Sequence, residues 1–95
     1  MLAATGRIQV TEKAFEWFMR AAKQNFGPAQ FHLGFLYGNA GDYLRAYAWF
    51  YLAEQNRVQE ARENRKKAAA FLSKDDLNDA RLAVCALTTN FGKQD

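Results

Sequence analysis

Apolar residues recur at helical spacing through most of the chain. In the segment from Glu12 to Asn25, apolar side chains fall on one face of a helix and charged side chains fall on the other. The apolar face consists of Ala14, Phe15, Phe18, Ala21 and Ala22. This pattern predicts a first amphipathic helix, with Thr11 as its N-cap.

Two turn signals divide the next part of the chain. Pro28 suits the first turn of a helix, so we expect a second helix from about Pro28 to Tyr37. A run of turn-forming residues, 38–42, follows, and Asp42 at its end is the predicted N-cap of a third helix. Residues 43–53 are apolar almost all round, which predicts a helix with neighbours on more than one side.

Capping signals also delimit the last two helices. Asn56 can adopt the left-handed conformation that ends the third helix, and a basic fourth helix is expected from about Val58 to Leu72. Ser73 and Asp76 have the spacing of a capping box. They predict a fifth helix with one apolar stripe, followed by Phe91; the stripe consists of Leu77, Ala80, Val84 and Leu87.

Internal repetition predicts how these helices are ordered. Residues 14–21 recur at 46–53, an offset of 32 residues, with four of the eight positions identical. A period in the thirties built from helix pairs is typical of α-solenoids. Since no strand signal is present, we predict an all-α fold. It is a short α-solenoid of antiparallel helix pairs, about five helices in all, with a C-terminal capping helix.

Length and composition limit the alternatives. The 95 residues suit a single domain, 1–95, and the 49% hydrophobic and 24% charged residues argue against disorder. No apolar run approaches the ~20 residues that span a bilayer, so no membrane association is expected. The first residues do not resemble a secretory signal, and the single cysteine excludes an intramolecular disulfide. A cytoplasmic location is expected, or a periplasmic one if a leader was removed.

The order and spacing of small and aromatic residues resemble a Sel1-like repeat. The resemblance rests on the alanine and Trp-Phe pattern of residues 14–22, on Gly27-Pro28-Ala29, and on Leu33-Gly34-x-x-Tyr37. A second copy begins at Asp42 but lacks the Leu-Gly-x-x-Tyr element, since Arg65, Lys66 and Ala69 stand there. The resemblance implies a first unit at 12–41, a second, degenerate unit at 42–72, and a capping helix at 73–91.

The same resemblance implies which residues define the packing of the repeat. They are Ala14, Trp17, Phe18, Ala21, Ala29, Leu33, Gly34, Tyr37, Ala46, Trp49, Phe50 and Ala53. Members of this family are related to tetratricopeptide-repeat proteins and usually act as adaptors in protein complexes. The resemblance therefore implies a protein-protein interaction module whose partner is another protein, or a second copy of this chain.

Candidate partner-binding residues are large apolar side chains that the repeat pattern does not require. On the first three helices they are Met19, Phe35, Tyr47 and Tyr51, for which internal packing is an equally good interpretation. On the fifth helix, Leu82 and Cys85 form a second, smaller apolar face. That face either packs internally or docks another chain.

The sequence offers little for catalysis. His32 is the only histidine and has no Cys, Asp or Glu at close spacing, so a structural or surface role is expected. The cluster of Asp75, Asp76 and Asp79 is explained by capping, because carboxylates complement a helix N-terminus. We therefore expect no enzyme, no cofactor and no metal site.

A basic run supplies an alternative function. It consists of Arg57, Arg62, Arg65, Lys66 and Lys67. With Glu60 and Glu63 counted, the segment 57–67 has a formal charge of +3, equal to that of the whole chain. Nucleic acid could bind there, with Phe71 close by, although no aromatic residue interleaves with the run at stacking positions. Pairing along a solvated helix face explains the same charges, so nucleic acid is the less favoured partner.

Overall fold

The chain folds into five consecutive α-helices. The computed structural model describes the backbone of residues 2–89 and the side chains of residues 12–89. The helices are α1 (Leu2–Lys23), α2 (Gly27–Asn39), α3 (Tyr43–Gln55), α4 (Ala61–Ala69) and α5 (Lys74–Thr89). No strand occurs in this part of the chain, so the prediction of an all-α fold is confirmed.

The first helix begins earlier than its amphipathic pattern predicts. We expected a start near Glu12 with Thr11 as the cap, but α1 starts at Leu2 and Thr11 lies within it. The prediction was wrong because a residue that can cap a helix does not have to end one when the chain continues to propagate. At the other end of the chain, Phe91 and the last residues of the predicted capping helix lie outside the described part.

The predicted caps of α3 and α5 are confirmed. The Asp42 carboxylate accepts a hydrogen bond from the backbone N–H of Arg45 at 3.1 Å. Ser73 and Asp76 form a reciprocal capping box, in which each side chain accepts a hydrogen bond from the other residue's backbone N–H. Pro28 lies in the first turn of α2, as predicted.

The connection between α3 and α4 differs from the prediction. Arg57, not Asn56, adopts the left-handed conformation, with φ of 65°. Helix α4 starts at Ala61 and ends at Ala69, so it is shorter at both ends than the expected Val58 to Leu72. The residues before Ala61 form the turn that follows α3, and the residues after Ala69 connect α4 to the Ser73 cap.

Helix α3 is the centre of the fold. It packs against α2, α4 and α5, while α1 packs mainly on α2. One face of α3 contributes Trp49 and Leu52 to a core cluster shared with α1 and α2, and Val84 and Leu87 of α5 pack against that cluster. Other faces contribute to a second cluster, shared with α4 and α5; it consists of Ala46, Tyr47, Phe50, Ala68 and Ala80. This explains why residues 43–53 are apolar almost all round.

The backbone repeats itself with the period seen in the sequence. The left-handed residues Asn25 and Arg57 are 32 positions apart, with φ of 67° and 65°. The residue after each one donates its N–H to an alanine carbonyl in the preceding helix: Phe26 to Ala21 at 3.2 Å, and Val58 to Ala53 at 3.0 Å. The turn between α1 and α2 and the turn between α3 and α4 therefore share one backbone geometry, and we call each of these two helix pairs a unit.

Polar side chains join the two equivalent turns. The Gln30 side chain is fully buried; its amide N–H₂ donates to the Ala22 carbonyl at 3.3 Å and to the Asn25 side-chain oxygen at 3.2 Å. Asn56, in the second turn, donates to the Gln30 side-chain oxygen at 2.8 Å and to Asn25 at 3.0 Å. These bonds fix the register of one unit against the next.

Candidate functional site

Most of the residues that the repeat pattern assigns to packing lie in the interior. Ala29, Leu33, Gly34, Ala46, Trp49, Phe50 and Ala53 are buried, while Ala14, Phe18, Ala21 and Tyr37 are half-buried. Trp17 is the exception, with 68% of its surface exposed. A packing role for Trp17 was wrong for the described part of the chain, because no element there covers its face of α1.

Three of the predicted partner-binding residues are buried or half-buried in the structure. Tyr47 is only 5% exposed and belongs to the second core cluster, so its assignment to a partner-binding surface was wrong. It was misassigned because α4 and α5, which the periodicity of α3 cannot reveal, cover that face. Met19 and Tyr51 are half-buried and pack against the two core clusters.

The other predicted partner-binding residues are exposed but lie apart in the fold. Phe35 is 40% exposed on α2, where its ring packs edge-on against Phe31 and Phe50. Leu82, 67% exposed, and Cys85, exposed with a free thiol, lie on α5. The six residues therefore do not form one surface.

An open groove lies between α2, α3 and α4, and we call it the aromatic groove. Its lining includes Gly34, Phe35, Gly38, Tyr43, Phe50, Asn64, Lys67 and Phe71. The groove extends to the backbone of α2 because Gly34 and Gly38 carry no side chain. The Phe50 ring occupies the space beside Gly34, and a Cβ added there would lie 2.5 Å from two of its carbon atoms.

Phe71 forms the outer wall of the aromatic groove. Its ring stacks on that of Tyr43, with centroids 4.2 Å apart and an angle of 11° between the planes. Phe71 nevertheless remains 65% exposed. The sequence indicated it only as an aromatic neighbour of the basic run, because its stacking partner is 28 residues away on another helix.

The basic run is divided between the surface and an internal ion pair. The Arg65 Nε atom donates to the Glu54 carboxylate at 2.5 Å, and its guanidinium lies over the Tyr47 ring, 5.8 Å from the centroid. The hydrogen bond to Glu54 raises the pKa of Arg65 above its ordinary value. Four basic residues remain exposed: Arg57 in the turn, and Arg62, Lys66 and Lys67 on α4.

A second aromatic surface lies on α1 and α2, and we call it the end face. It is lined by Trp17, Phe18, Phe26, Pro28 and His32. His32 is exposed and stacks on Phe18, with centroids 4.7 Å apart. Phe26, 55% exposed, was missed by the sequence reasoning; its signal is its place directly before Gly27-Pro28, where a turn leaves the side chain outside.

Within residues 12–89, no three His, Cys, Asp or Glu side chains lie close enough together to hold a metal ion. None of the helices in the described part is long and apolar enough to cross a bilayer. The function has to be inferred from the two aromatic surfaces, since no protein-family model, no curated protein and no solved structure matches this chain.

Proposed function

We propose that this chain is a non-enzymatic protein-interaction module of the Sel1-like repeat type, which binds a segment of another protein in the aromatic groove. The observation that carries the proposal is Phe71, which is held in place by stacking on Tyr43 yet remains 65% exposed. Aromatic side chains fixed at the wall of a groove are typical anchors of binding interfaces, because little rotamer entropy is lost on binding.

The shape of the groove determines which segment fits. The groove is lined by Phe35 on α2, by Phe71 just after α4, and by Gly38 and Ala46. A Cβ added at Gly38 would meet only the Ala46 Cβ, at 3.8 Å, so the groove there is open. The occupant we propose is a peptide segment that inserts one bulky apolar side chain between the two phenylalanines.

The rim of the groove adds a preference for negative charge. Lys67 is exposed, lines the groove, and makes no ion pair with another described residue. Asn64, one turn earlier on α4, lines the same rim. An acidic residue next to the apolar anchor would pair with Lys67, which favours acidic peptides over basic ones.

The proposed compartment rests on the single cysteine. The free, exposed thiol of Cys85 is compatible with a reducing compartment, so we place the module in the cytoplasm. A cytoplasmic adaptor of this kind would assemble its partners by non-covalent binding alone.

Selection of peptides from a random library on the immobilised chain tests the proposed function. We expect enriched peptides to share an aromatic or long aliphatic residue next to Asp or Glu. Their affinities would then be compared by fluorescence anisotropy for the native chain and for Phe71→Ser and Lys67→Glu. Each variant should weaken binding about tenfold or more, which corresponds to about 1.4 kcal/mol.

Matched control variants separate the groove from the rest of the surface. Leu82→Ser removes a side chain of similar exposure on α5, and Lys66→Glu makes the same charge change one residue away from Lys67. Both controls should bind the selected peptides within about twofold of the native chain. If no peptide is enriched, or if the groove variants and the controls lose affinity equally, the aromatic groove is not the binding site.

Nucleic acid is the second candidate ligand, and one observation favours it. Lys67 and the exposed ring of Phe71 lie at the same groove, which is the combination of charge and stacking surface that binds single strands. Against it, Glu54 holds the Arg65 guanidinium and leaves fewer free cations on α4. Anisotropy with a labelled single-stranded oligonucleotide decides: affinity that falls steeply with salt and is lost in Lys67→Glu would support this candidate.

A further inference from the structure

The end face corresponds to the surface with which the second unit packs against the first. Trp17 and Trp49 are equivalent residues, 32 positions apart, on the first helix of each unit. Trp49 is 2% exposed because it packs in a cluster with Ala22, Ala29 and Leu33 of the preceding unit. The same position in the first unit, Trp17, is 68% exposed. The end face is thus a unit-to-unit contact surface without a described neighbour.

The described backbone before Trp17 does not supply that neighbour. Helix α1 is continuous from Leu2 through Lys23, so residues 2–10 extend the helix along its axis and do not fold back over the end face. Two large aromatic side chains, Trp17 and Phe26, consequently remain exposed beside the half-buried Phe18. Aromatic clusters of this kind are enriched in protein interfaces.

The opposite side of the repeat stack is already covered. Helix α5 packs on α3 and contributes Val84 and Leu87 to the core around Trp49. A head-to-tail contact between copies would need the end face of one chain to replace α5 of the next. This disfavours head-to-tail stacking and favours a two-fold, isologous contact of the end face with itself, which closes at a dimer.

The charged residues beside Trp17 can pair with those of a second copy of the chain. Lys13, Glu16 and Arg20 lie next to Trp17 on α1, and none of them is ion-paired within the described residues. When two copies of α1 cross antiparallel with the axis near Phe18, Glu16 of each copy faces Arg20 of the other. In an isologous contact this pair of opposite charges occurs twice, once on each side of the two-fold axis.

We propose that a second copy of this chain covers the end face, giving a two-fold dimer in which α1 packs against α1. Trp17 and Phe26 form the apolar centre of the contact, and the charges at 13, 16 and 20 flank it. The proposal concerns a different surface from the aromatic groove and does not depend on what binds there.

Sedimentation equilibrium of the full chain is the first test. The native chain should populate dimers as its concentration rises, and Trp17→Glu should weaken the association at least about a hundredfold by burying a charge at the centre of the contact. Phe71→Glu is the matched control, since Phe71 is 65% exposed and lies in the aromatic groove; it should leave the dimer unchanged. A native chain that stays monomeric into the millimolar range, or that forms open polymers, overturns the proposal.

Charge reversal gives a second test that does not remove an aromatic side chain. Glu16→Lys and the double variant Lys13→Glu/Arg20→Glu should each dimerise at least about tenfold more weakly than the native chain. An equimolar mixture of the two should associate about as tightly as the native chain, because each supplies the charge that the other lacks. Variants that dimerise normally alone, or a mixture that stays monomeric, would place any dimer contact elsewhere.

Discussion

Trp17 and Trp49 occupy the same position in two successive helix-turn-helix units, yet one is 68% exposed and the other is 2% exposed. The difference arises from neighbours and not from the local sequence, because both residues are followed by phenylalanine and lie four positions before an alanine. Trp49 packs against the first unit, whereas no described element packs over Trp17. The repeat pattern therefore determines where the tryptophan lies in its helix, whereas the neighbouring helices determine whether it is buried.

Replacing each tryptophan should have very different effects on stability. Trp49→Ala removes a buried ring from the core cluster and should lower the free energy of unfolding by about 3–5 kcal/mol. Trp17→Ala removes an exposed ring and should cost less than about 1 kcal/mol in the monomer. Urea denaturation followed by circular dichroism, at a concentration where the chain is monomeric, measures both values. Equal losses would contradict the burial of Trp49 or the exposure of Trp17.

The two glycines of α2 that line the aromatic groove provide a matched pair of substitutions. Gly34→Ala would place a Cβ 2.5 Å from the Phe50 ring, so the buried ring has to move, at a cost of about 1–3 kcal/mol. Gly38→Ala meets only the Ala46 Cβ at 3.8 Å, and it should stabilise the helix by about 0.5–1 kcal/mol. Thermal or urea unfolding of the two variants gives the comparison. If both raise the stability, Phe50 does not fill the space beside Gly34.

The helical pattern was sufficient to predict the fold class, but not every helix boundary. Periodicity and capping residues correctly indicated five helices, the Asp42 cap and the Ser73–Asp76 box, since these signals are local in sequence. The left-handed residue at the end of α3 was predicted at Asn56 and found at Arg57. Here the side chain of Asn56 bonds to Gln30 and Asn25 instead, and those contacts between the units override the intrinsic preference of asparagine.

The surfaces were harder to predict than the fold, because exposure depends on contacts between distant residues. Exposure and internal packing were equally good interpretations for both Phe35 and Tyr47. Phe35 is 40% exposed, whereas Tyr47 is buried by α4 and α5 packing on α3. The stacked pair of Tyr43 and Phe71 joins residues from different helices, which no spacing along the chain reveals. Trp17 shows the reverse error, because a packing motif predicts burial only where its neighbour is present.

The two left-handed residues should respond in opposite ways to glycine. Arg57 adopts φ of 65°, and its side chain makes no ion pair with another described residue. Arg57→Gly should therefore relieve backbone strain and raise stability by about 0.5 kcal/mol. Asn25 adopts φ of 67°, but its side-chain oxygen accepts hydrogen bonds from Gln30 and Asn56. Asn25→Gly should therefore lower stability by about 1 kcal/mol.

Urea denaturation of the two glycine variants, with hydrogen exchange of the Gln30 side-chain amide, distinguishes strain from hydrogen bonding. In Asn25→Gly the amide of Gln30 should exchange faster, since one of its two acceptors is lost. In Arg57→Gly it should exchange no faster than in the native chain. Stabilisation by both substitutions would show that the polar side chains between the turns contribute little.

Among the basic residues of α4, Arg65 alone should matter for folding. Its guanidinium hydrogen-bonds to Glu54 and lies over Tyr47, while Arg62 is exposed and has no ion pair with a described residue. Because the side chains of Arg65 and Glu54 keep 22% and 26% of their exposure, solvent screens part of their attraction. Arg65→Gln should lower the free energy of unfolding by about 1–2 kcal/mol, and Arg62→Gln, which removes the same charge, by less than about 0.5 kcal/mol.

A double-mutant cycle of Arg65→Gln and Glu54→Gln isolates the pair from the general loss of charge. We expect a coupling energy of about 1 kcal/mol that decreases only slightly with added salt, since the pair is half-buried against Tyr47. A coupling energy near zero would mean that Glu54 does not hold Arg65. Arg65 would then be a free cation, like Arg62, Lys66 and Lys67. The basic helix would then present one more free cation beside Phe71, and nucleic acid would become a stronger candidate ligand.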